Sequence, residues 1–220
     1  MAASPSDPAG PSVPSAPSRG APEPLEALAG VRIYAQLKPD AAGLAELARL
    51  QSEARALAPR ARAVSSGRLH LTLIHFGKAD EAYARLAEAT GVRSEIFSLA
   101  LTAYLAATEA ALPVQDFLLT PAGLDGFGVN GTTLAVECSP TPELVEVHAV
   151  LYLLLLEFLA TCGVRDPAAY AAQDPALAFS AALRPHISIL HNFRLPHGAQ
   201  LPSVGAVPLH LTPLPVLYRT

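Results

Sequence analysis

Two hexapeptides in this sequence share one pattern, His70-Leu71-Thr72-Leu73-Ile74-His75 and His186-Ile187-Ser188-Ile189-Leu190-His191. Each consists of a histidine, an apolar residue, a hydroxyl residue, two apolar residues and a second histidine. Leu, Ile and Thr favour a pleated, largely buried strand. Since residues two apart on a strand share a face, each hexapeptide predicts one imidazole and one hydroxyl on a common surface. The repeat therefore predicts two strands that bring two imidazoles and two hydroxyls around one cleft.

The predicted active-site residues are the four side chains His70, Thr72, His186 and Ser188. His75 and His191 each lie five residues after the first histidine of their copy. On a strand with unbroken alternation, this odd offset places them on the opposite face. We therefore predict that these two histidines serve the packing of the fold.

Composition limits the class of protein. With 220 residues, of which 51% are hydrophobic, the chain is long enough for one large domain or two small lobes with an ample core. A formal net charge of −4 argues against a protein that coats nucleic acid non-specifically, but it allows a local basic patch. Cys138 and Cys162 have no metal or redox spacing between them. They are predicted to be reduced, buried thiols.

The N-terminal segment and the most apolar stretch together predict a soluble cytoplasmic protein. Residues 1–24 are mostly Pro, Ser, Ala and Gly and are predicted to be a disordered tail. They lack the basic and apolar regions of a secretory signal. The most apolar stretch, 149–160, is shorter than the roughly 20 residues of a membrane span, so it predicts a buried core helix.

Strand and helix signals occur in the same order in both halves of the chain. Asp40 and Thr141 are placed to cap the two long helices, and Pro142 takes the first helical position of the second. The glycine-rich stretch 123–131 predicts turns, and 164–182 predicts a loop. The predicted strands are 31–37, 70–75, 97–107, 113–121, 132–138, 186–191 and 207–218, and the predicted helices are 41–57, 80–90 and 142–161. Prolines place the final strand at a sheet edge.

This repeated order predicts the α+β class. We expect a bilobal, duplicated fold in which two antiparallel sheets flank a central cleft and the helices lie on the outside. Residues 25–220 are predicted to form this single domain after the tail of residues 1–24.

Two imidazoles and two hydroxyls suit phosphodiester transfer to water or to a 2′-hydroxyl. A base must take the proton of the nucleophile, an acid must protonate the leaving oxygen, and donors must hold the non-bridging oxygens. Histidine can serve either proton role because its unperturbed pKa is about 6.5. The chemistry requires no metal ion or other cofactor if the imidazoles move the protons and the hydroxyls hold the phosphate.

The chain resembles the two-histidine (2H) phosphoesterase superfamily, in its branch of 2′-5′ RNA ligases and RNA 2′,3′-cyclic phosphodiesterases. The two His-x-Thr/Ser motifs carry the resemblance, together with Gly77 after the first motif and Pro185 before the second. The stretch 133–137, followed by Pro142-Glu143-Leu144 and His148, also resembles the family's strand and helix before the second motif. The resemblance covers roughly residues 31–220.

The resemblance implies a bilobal fold and hydrolysis of 2′,3′-cyclic phosphates, on RNA or a small nucleotide, to 2′-phosphates, with reverse 2′-5′ RNA ligation as a second activity. It implies that His70 is the proton donor and His186 the acceptor, and these roles exchange with the direction of the reaction. Thr72 and Ser188 would hold the phosphate. The expected partner is RNA or a nucleotide with a cyclic phosphate or a 2′-5′ linkage. We expect a monomer that binds no membrane.

Other polar residues near the motifs allow two interpretations. Arg184, two residues before His186, has the parity to face the cleft and is a predicted phosphate contact. The arginines before the first motif form either a solvated surface or a rim that attracts phosphate, and they are Arg55, Arg60, Arg62 and Arg68. His210-Leu211-Thr212 imitates the motif a third time, and we interpret it as a chance match.

Two other classes of protein stay open. A non-catalytic module that binds RNA or nucleotides would use the same cleft without turnover. In a purely structural protein, the first histidines of the two hexapeptides would lie far apart.

Overall fold

Alternation of side chains builds the first strand, β1 (Arg32–Pro39). Ile33, Ala35 and Leu37 are buried, whereas Lys38 lies on the other face and is partly exposed. This period of two lets one face of the sheet pack on a hydrophobic core while the other carries polar groups.

Nine strands form one antiparallel sheet in the part of the chain that the computed structural model describes, residues 28–205, 207–214 and 217–218. After β1 the strands are β2 (Arg62–Ala63), β3 (Leu71–Lys78), β4 (Phe117–Leu119), β5 (Pro121–Phe127), β6 (Thr133–Cys138), β7 (His186–His191), β8 (Leu209–Leu214) and β9 (Leu217–Tyr218). The helices are α1 (Ala41–Leu57), α2 (Ala79–Thr90), α3 (Ser94–Ala111), α4 (Pro142–Thr161) and α5 (Pro167–Gln173). The predicted α+β class is confirmed.

The sheet consists of two halves that meet at the two hexapeptide strands. Its main order is β4-β8-β1-β3-β7-β6-β5, with β2 beside β7 and β9 beside β1. Strands β3 and β7 share a single residue pair, Leu71 with Ile187, whereas their other neighbours pair along several residues. The two predicted sheets are therefore two halves of one sheet.

Both long helices start where the sequence predicts. The Asp40 carboxylate accepts a hydrogen bond of 2.7 Å from the Gly43 N–H at the start of α1. The Thr141 hydroxyl accepts one of 3.3 Å from the Leu144 N–H at the start of α4, where Pro142 is the first helical residue. Such caps satisfy N–H groups that have no partner within the helix.

Helix α4 is long and apolar enough to meet the length and composition criteria of a membrane span, with a mean hydropathy of 1.9. It is longer than the apolar stretch that defined the prediction. One stripe of the helix, including Leu144, Leu151, Leu155 and Phe158, is buried against the rest of the fold. Only about 33% of the apolar window is buried, and Val145, Val150 and Leu153 are exposed, so the prediction of a buried core helix holds for this stripe alone.

The predicted strand over 97–107 is wrong, because this segment belongs to α3. Its buried residues, among them Phe97, Leu101, Tyr104 and Thr108, recur every three or four positions, which is the helical period. Phe97 and Tyr104 both contact the ring of Phe158 on α4. Packing against α4 thus decides the conformation of a segment whose aromatic residues also suit a strand.

Three further boundaries differ from the prediction. The segment 113–121 contains β4 and only the start of β5. The glycine-rich stretch 123–131, predicted to form turns, lies largely in β5, because Gly123–Phe127 pair with Glu137–Thr133 of β6. The predicted loop 164–182 contains α5, which Asp166 caps by accepting a hydrogen bond of 3.0 Å from the Ala169 N–H.

The predicted final strand, 207–218, contains β8 and β9. Strand β8 lies between β1 and β4 along Leu209–Leu211, so the prediction of an edge position is wrong for that part of the strand. Strand β4 pairs only with Leu209–Leu211, so Pro213 lies in the part of β8 that has β1 as its one neighbour. A proline is tolerated there because one side of the strand needs no ladder hydrogen bond. The predicted tail, 1–24, lies outside the described residues.

Candidate active site

Two β-bulges in β3 decide which of its residues face the cleft. The register with β1 shifts twice, because β3 has one extra residue at Leu73 and another at Phe76. Since an extra residue reverses the alternation of faces, Thr72 and His75 lie on the same face. Both are partly exposed, whereas Leu73 and Phe76 are buried. The prediction that His75 faces away from Thr72 assumed unbroken alternation and is wrong.

Strand β7 has a bulge at the corresponding position. Its register with β6 shifts because Ile189 is an extra residue, and Ile189 is the fourth residue of its hexapeptide, as Leu73 is of the first. The bulge places His191 on the same face as Ser188, so the prediction for this histidine is wrong for the same reason. The two hexapeptides therefore repeat in conformation as well as in sequence.

The four predicted active-site residues form one array across the junction of the two halves. Extending the antiparallel register of the single β3–β7 pair by one residue sets His70 opposite Ser188 and Thr72 opposite His186. Side chains directly opposite have Cβ atoms about 4.5–5.5 Å apart, and diagonal ones are about 7–8 Å apart. The two imidazoles are a diagonal pair, so they do not lie far apart as expected for a purely structural protein.

Both imidazoles are held in the same way. The Nδ1 of His70 lies 2.8 Å from the carbonyl oxygen of Arg68, and that of His186 lies 2.7 Å from the carbonyl oxygen of Arg184. A carbonyl oxygen can only accept, so Nδ1 carries the hydrogen in each ring. Each neutral ring therefore keeps the lone pair of Nε2 for a proton from a substrate or from water.

The surroundings of His70 favour its neutral form. Burial lowers the pKa of His70, and the nearby positive charges of Lys38, His186 and Arg68 lower it further, while the hydrogen bond to the Arg68 carbonyl acts in the opposite direction. Lys38 donates a hydrogen bond of 2.6 Å to the carbonyl oxygen of Gly67, which fixes the ammonium group beside the turn before β3.

The ring of Phe127 packs directly on His186. The ring centroids are 4.2 Å apart and the planes are 10° from parallel. The guanidinium carbon of Arg184 lies 4.6 Å from the centre of the same phenyl ring. Arg184 also forms ion pairs with Glu137 at 3.0 Å and with Asp125 at 3.9 Å. Arg184, a predicted phosphate contact, therefore already has two carboxylate partners and holds His186 through its own carbonyl group.

A cavity of about 620 Å³ adjoins this array. Its wall is formed by Thr72, Leu73, His75, Gly126, Phe127, Gly128, Ala178, Phe179, Ala182, Leu183, Arg184 and His186. The wall is mainly apolar away from the two histidines, and Phe179 is 78% exposed. His70 and Ser188 lie outside this wall, so the cavity extends from the Thr72–His186 side of the array.

Hydrogen bonds hold the outer wall of the cavity to β3. His75 Nδ1–H donates to the carbonyl oxygen of Ala176 at 2.7 Å. The Ser180 hydroxyl accepts from the His75 N–H at 3.2 Å and donates to the His75 carbonyl at 3.1 Å. The buried His148 contacts the Ser180 carbonyl through Nε2 at 3.1 Å. Burial lowers the pKa of both His75 and His148.

The four arginines that were predicted as a possible phosphate-attracting rim lie on different elements of the fold. Arg55 lies in the last turn of α1, and Arg62 lies opposite the end of β7. Arg68 ends the 3₁₀ turn before His70 and acts on the pKa of that imidazole. Arg60 lines a second, shallower cavity.

The third His-x-Thr match lies on β8. Thr212 pairs with Lys38 across the β1–β8 ladder, so it lies on the same side of the sheet as His70, two strands away. His210 is exposed. Our interpretation of this match as a coincidence stays a prediction.

Several residues of the site were not predicted from the sequence. Phe127 is the most important, and its only sequence signal is its position between Gly126 and Gly128. Tyr34 was missed as well. Its ring centroid lies 5.9 Å from that of His70 and 4.9 Å from that of His75.

In the described segments, the cysteines and the acidic residues form no metal centre. Cys138 and Cys162 are buried, and burial raises the pKa of their thiols, to about 12 for Cys138 and about 11 for Cys162. Within residues 28–205, 207–214 and 217–218, no group of three His, Cys, Asp or Glu residues is placed to hold a metal ion.

Comparisons with known proteins give a fold-level similarity. No protein-family model matches the chain, and no curated protein matches it. Among solved structures, it is similar to the crystal structure of TT0787 of Thermus thermophilus, with a TM-score of 0.47 and 17% sequence identity over 85% of this chain and 82% of that chain. The residues of the site itself therefore decide which chemistry it can support.

Proposed function

We propose that this protein is a phosphodiesterase of the 2H phosphoesterase type, which hydrolyses a 2′,3′-cyclic phosphate on RNA or a small nucleotide to a 2′-phosphate. The observation that carries the proposal is the array of His70, Thr72, His186 and Ser188 where the antiparallel strands β3 and β7 meet. Each imidazole is fixed by the carbonyl group two residues before it, which leaves Nε2 free for proton transfer.

The environment of His70 supports its role as the base, and His186, as the other imidazole of the array, takes the role of the acid. His70 takes a proton from water while the water oxygen attacks phosphorus. The bond between phosphorus and the 3′-oxygen breaks, and protonated His186 gives its proton to that oxygen. These roles are the reverse of those that the family resemblance implies, because burial and the Lys38 and Arg68 cations favour neutral His70. A 5′-hydroxyl in place of water would give a 2′-5′ linkage by the same steps.

The remaining groups support binding of a nucleotide. The hydroxyls of Thr72 and Ser188 can donate hydrogen bonds to the non-bridging oxygens, where charge increases in the transition state. The mainly apolar cavity has two aromatic residues, Phe127 and Phe179, and can take a flat ring. This chemistry requires no metal ion. We further propose a soluble, cytoplasmic monomer, consistent with the burial of one face of α4.

The test is turnover of 2′,3′-cyclic mononucleotides with and without a chelator. His70→Ala and His186→Ala should each lower kcat/KM by about 10²–10⁴-fold, since each removes one proton-transfer group. His197→Ala, at an exposed histidine outside the site, is the matched control. The wild-type profile of kcat/KM against pH should be bell-shaped.

Two results would contradict the proposal. Full activity in either His70→Ala or His186→Ala would show that this histidine does not transfer a proton in the reaction. Tight binding of cyclic nucleotides without turnover would instead identify a non-catalytic binding module that uses the same cleft.

A further inference from the structure

Several cations of the fold are already neutralised by carboxylates, but one local group is not. Arg49, Arg85 and Lys78 form ion pairs with neighbouring carboxylates, as does Arg184. Among the arginines of the described residues that have no carboxylate within ion-pair distance, four lie near strand β7: Arg60, Arg62, Arg68 and Arg194. We call these four residues the arginine strip. In a chain with a net charge of −4, such a local excess of positive charge points to an anionic ligand.

The arginine strip follows strand β7 away from the active site. Arg68 lies beside His70 at one end, and Arg62 pairs with His191 at the other. Beyond β7, Arg60 and Arg194 line a shallow cavity of about 540 Å³ together with Asn192, Ala58, Pro59 and Ala61. His70, beside Arg68, lies opposite Ser188 of β7, and Arg62 lies opposite His191, three residues further on, so the strip extends about 10 Å along β7 before this cavity.

The backbone that carries the strip is held in place. The Val64 N–H donates a hydrogen bond of 3.0 Å to the Ile189 carbonyl, which continues the pairing of β2 with β7. The Gln51 amide group donates to the Val64 carbonyl at 2.7 Å and to the Ile189 carbonyl at 2.9 Å. Lys38 holds the turn before β3 through the Gly67 carbonyl. The arginines therefore extend from a fixed edge, which lowers the entropy cost of binding.

The bulge in β7 adds a polar side chain to the same path. Because Ile189 is the extra residue, His191 shares the face of Ser188, and Arg62 lies directly across from it. A path of hydrogen-bond donors thus leads from the imidazole–hydroxyl array along β7 to the shallow cavity.

We propose that the arginine strip binds successive phosphates of a single-stranded RNA whose reactive end lies in the active site. The proposal rests on the proposed function only for the position of that end. Arginine suits this role because its planar guanidinium matches phosphate oxygens and stays charged at all physiological pH values. A row of separated cations matches a ligand with repeated charges better than a mononucleotide with one phosphate.

The test measures RNA binding separately from turnover. The probe is a fluorescent 2′-O-methyl RNA of about twelve nucleotides, which the proposed reaction cannot cleave, titrated by anisotropy between about 50 and 200 mM salt. The variant is Arg62→Gln/Arg194→Gln. Its matched control is Arg93→Gln/Arg165→Gln, at two exposed arginines outside the strip, so the net charge changes equally.

Removal of two strip arginines should lower RNA affinity by about tenfold or more at low salt. It should also flatten the slope of log affinity against log salt by about 1.4, which corresponds to two single-strand phosphate contacts. The control should keep the wild-type affinity and slope, and kcat/KM for cyclic mononucleotides should stay within about twofold in both.

Equal losses in both double variants would overturn the proposal, because they would show an effect of net charge alone. Unchanged affinity in the strip variant, no RNA binding by the wild type, or displacement of the RNA by poly-glutamate at equal charge concentration would also overturn it. RNA binding that depends on the strip, in a protein without turnover of cyclic phosphates, would support the strip and refute the proposed function.

Discussion

Replacing Phe127 by leucine tests how His186 is positioned. Leucine keeps most of the apolar volume of this half-buried side chain, so the change removes mainly the aromatic contacts. The stack on His186 at 4.2 Å is worth about 0.5–1.5 kcal/mol, and the contact with the Arg184 guanidinium at 4.6 Å about 0.5–1 kcal/mol. The loss is therefore about 1–2.5 kcal/mol in total.

If both contacts hold His186 in its reactive position, this free energy appears in the transition state. Since about 1.4 kcal/mol corresponds to a factor of ten, kcat/KM should fall by about 5–60-fold. The assay is steady-state hydrolysis of a 2′,3′-cyclic mononucleotide, with far-UV circular dichroism to confirm the fold. Phe127→Tyr keeps the ring and is the matched control, which should retain at least half of the activity.

Two outcomes would refute this reasoning. If Phe127→Leu keeps kcat/KM within twofold of the wild type, the stack does not position the imidazole. If Phe127→Tyr loses as much activity as Phe127→Leu, the shape of the side chain is the determinant and the aromatic contact is not.

Three further predictions concern the phosphate, pH and a glycine. Thr72→Val and Ser188→Ala should each lower kcat/KM by about 10–150-fold, the effect of one hydrogen bond to a charged group, in the hydrolysis assay; an effect under threefold would contradict the assigned role. Burial lowers the pKa of His148 in the folded state, so the free energy of unfolding should fall as pH decreases below about 6.5. In urea titrations, His148→Gln should show a shallower fall, with a slope smaller than that of the wild type by up to about 1.4 kcal/mol per pH unit. An equally steep fall in the variant would disprove the assignment. Gly77→Ala should destabilise the fold by about 1–2 kcal/mol in urea titrations, because φ is +92° and the new Cβ would lie 3.3 Å from that of Ala176, whereas the unobstructed Gly198 gives a milder control.

The sequence predicted the array of the site because its residues follow local rules. The hexapeptides have strong strand preferences, so His70 and Thr72, like His186 and Ser188, could be placed on one face from their spacing. The positions of His75 and His191 could not be predicted, because a β-bulge leaves no clear sequence signal and reverses the parity of every later residue.

Long-range contacts explain the other differences. Segment 97–107 is helical because its aromatic residues pack on α4, a contact that short-range preferences do not contain. Phe127 reaches His186 only because β5 and β6 pair along the glycine-rich stretch, which by itself predicts turns. The arginines could be listed from the sequence, but their pairing or lack of pairing with carboxylates depends on the folded arrangement.

The single Leu71–Ile187 pair has a mechanical consequence. Because Leu71 and Ile187 form the single residue pair between β3 and β7, the distance between the two imidazoles depends on how closely these two strands approach each other; both residues of the pair are fully buried. An anion that contacts side chains from both β3 and β7 would hold the two strands together. Simple inorganic phosphate, at about 100 times its dissociation constant, would thereby add about 2.7 kcal/mol to the free energy of unfolding. Occupancy and rigidity of this cleft would then rise together.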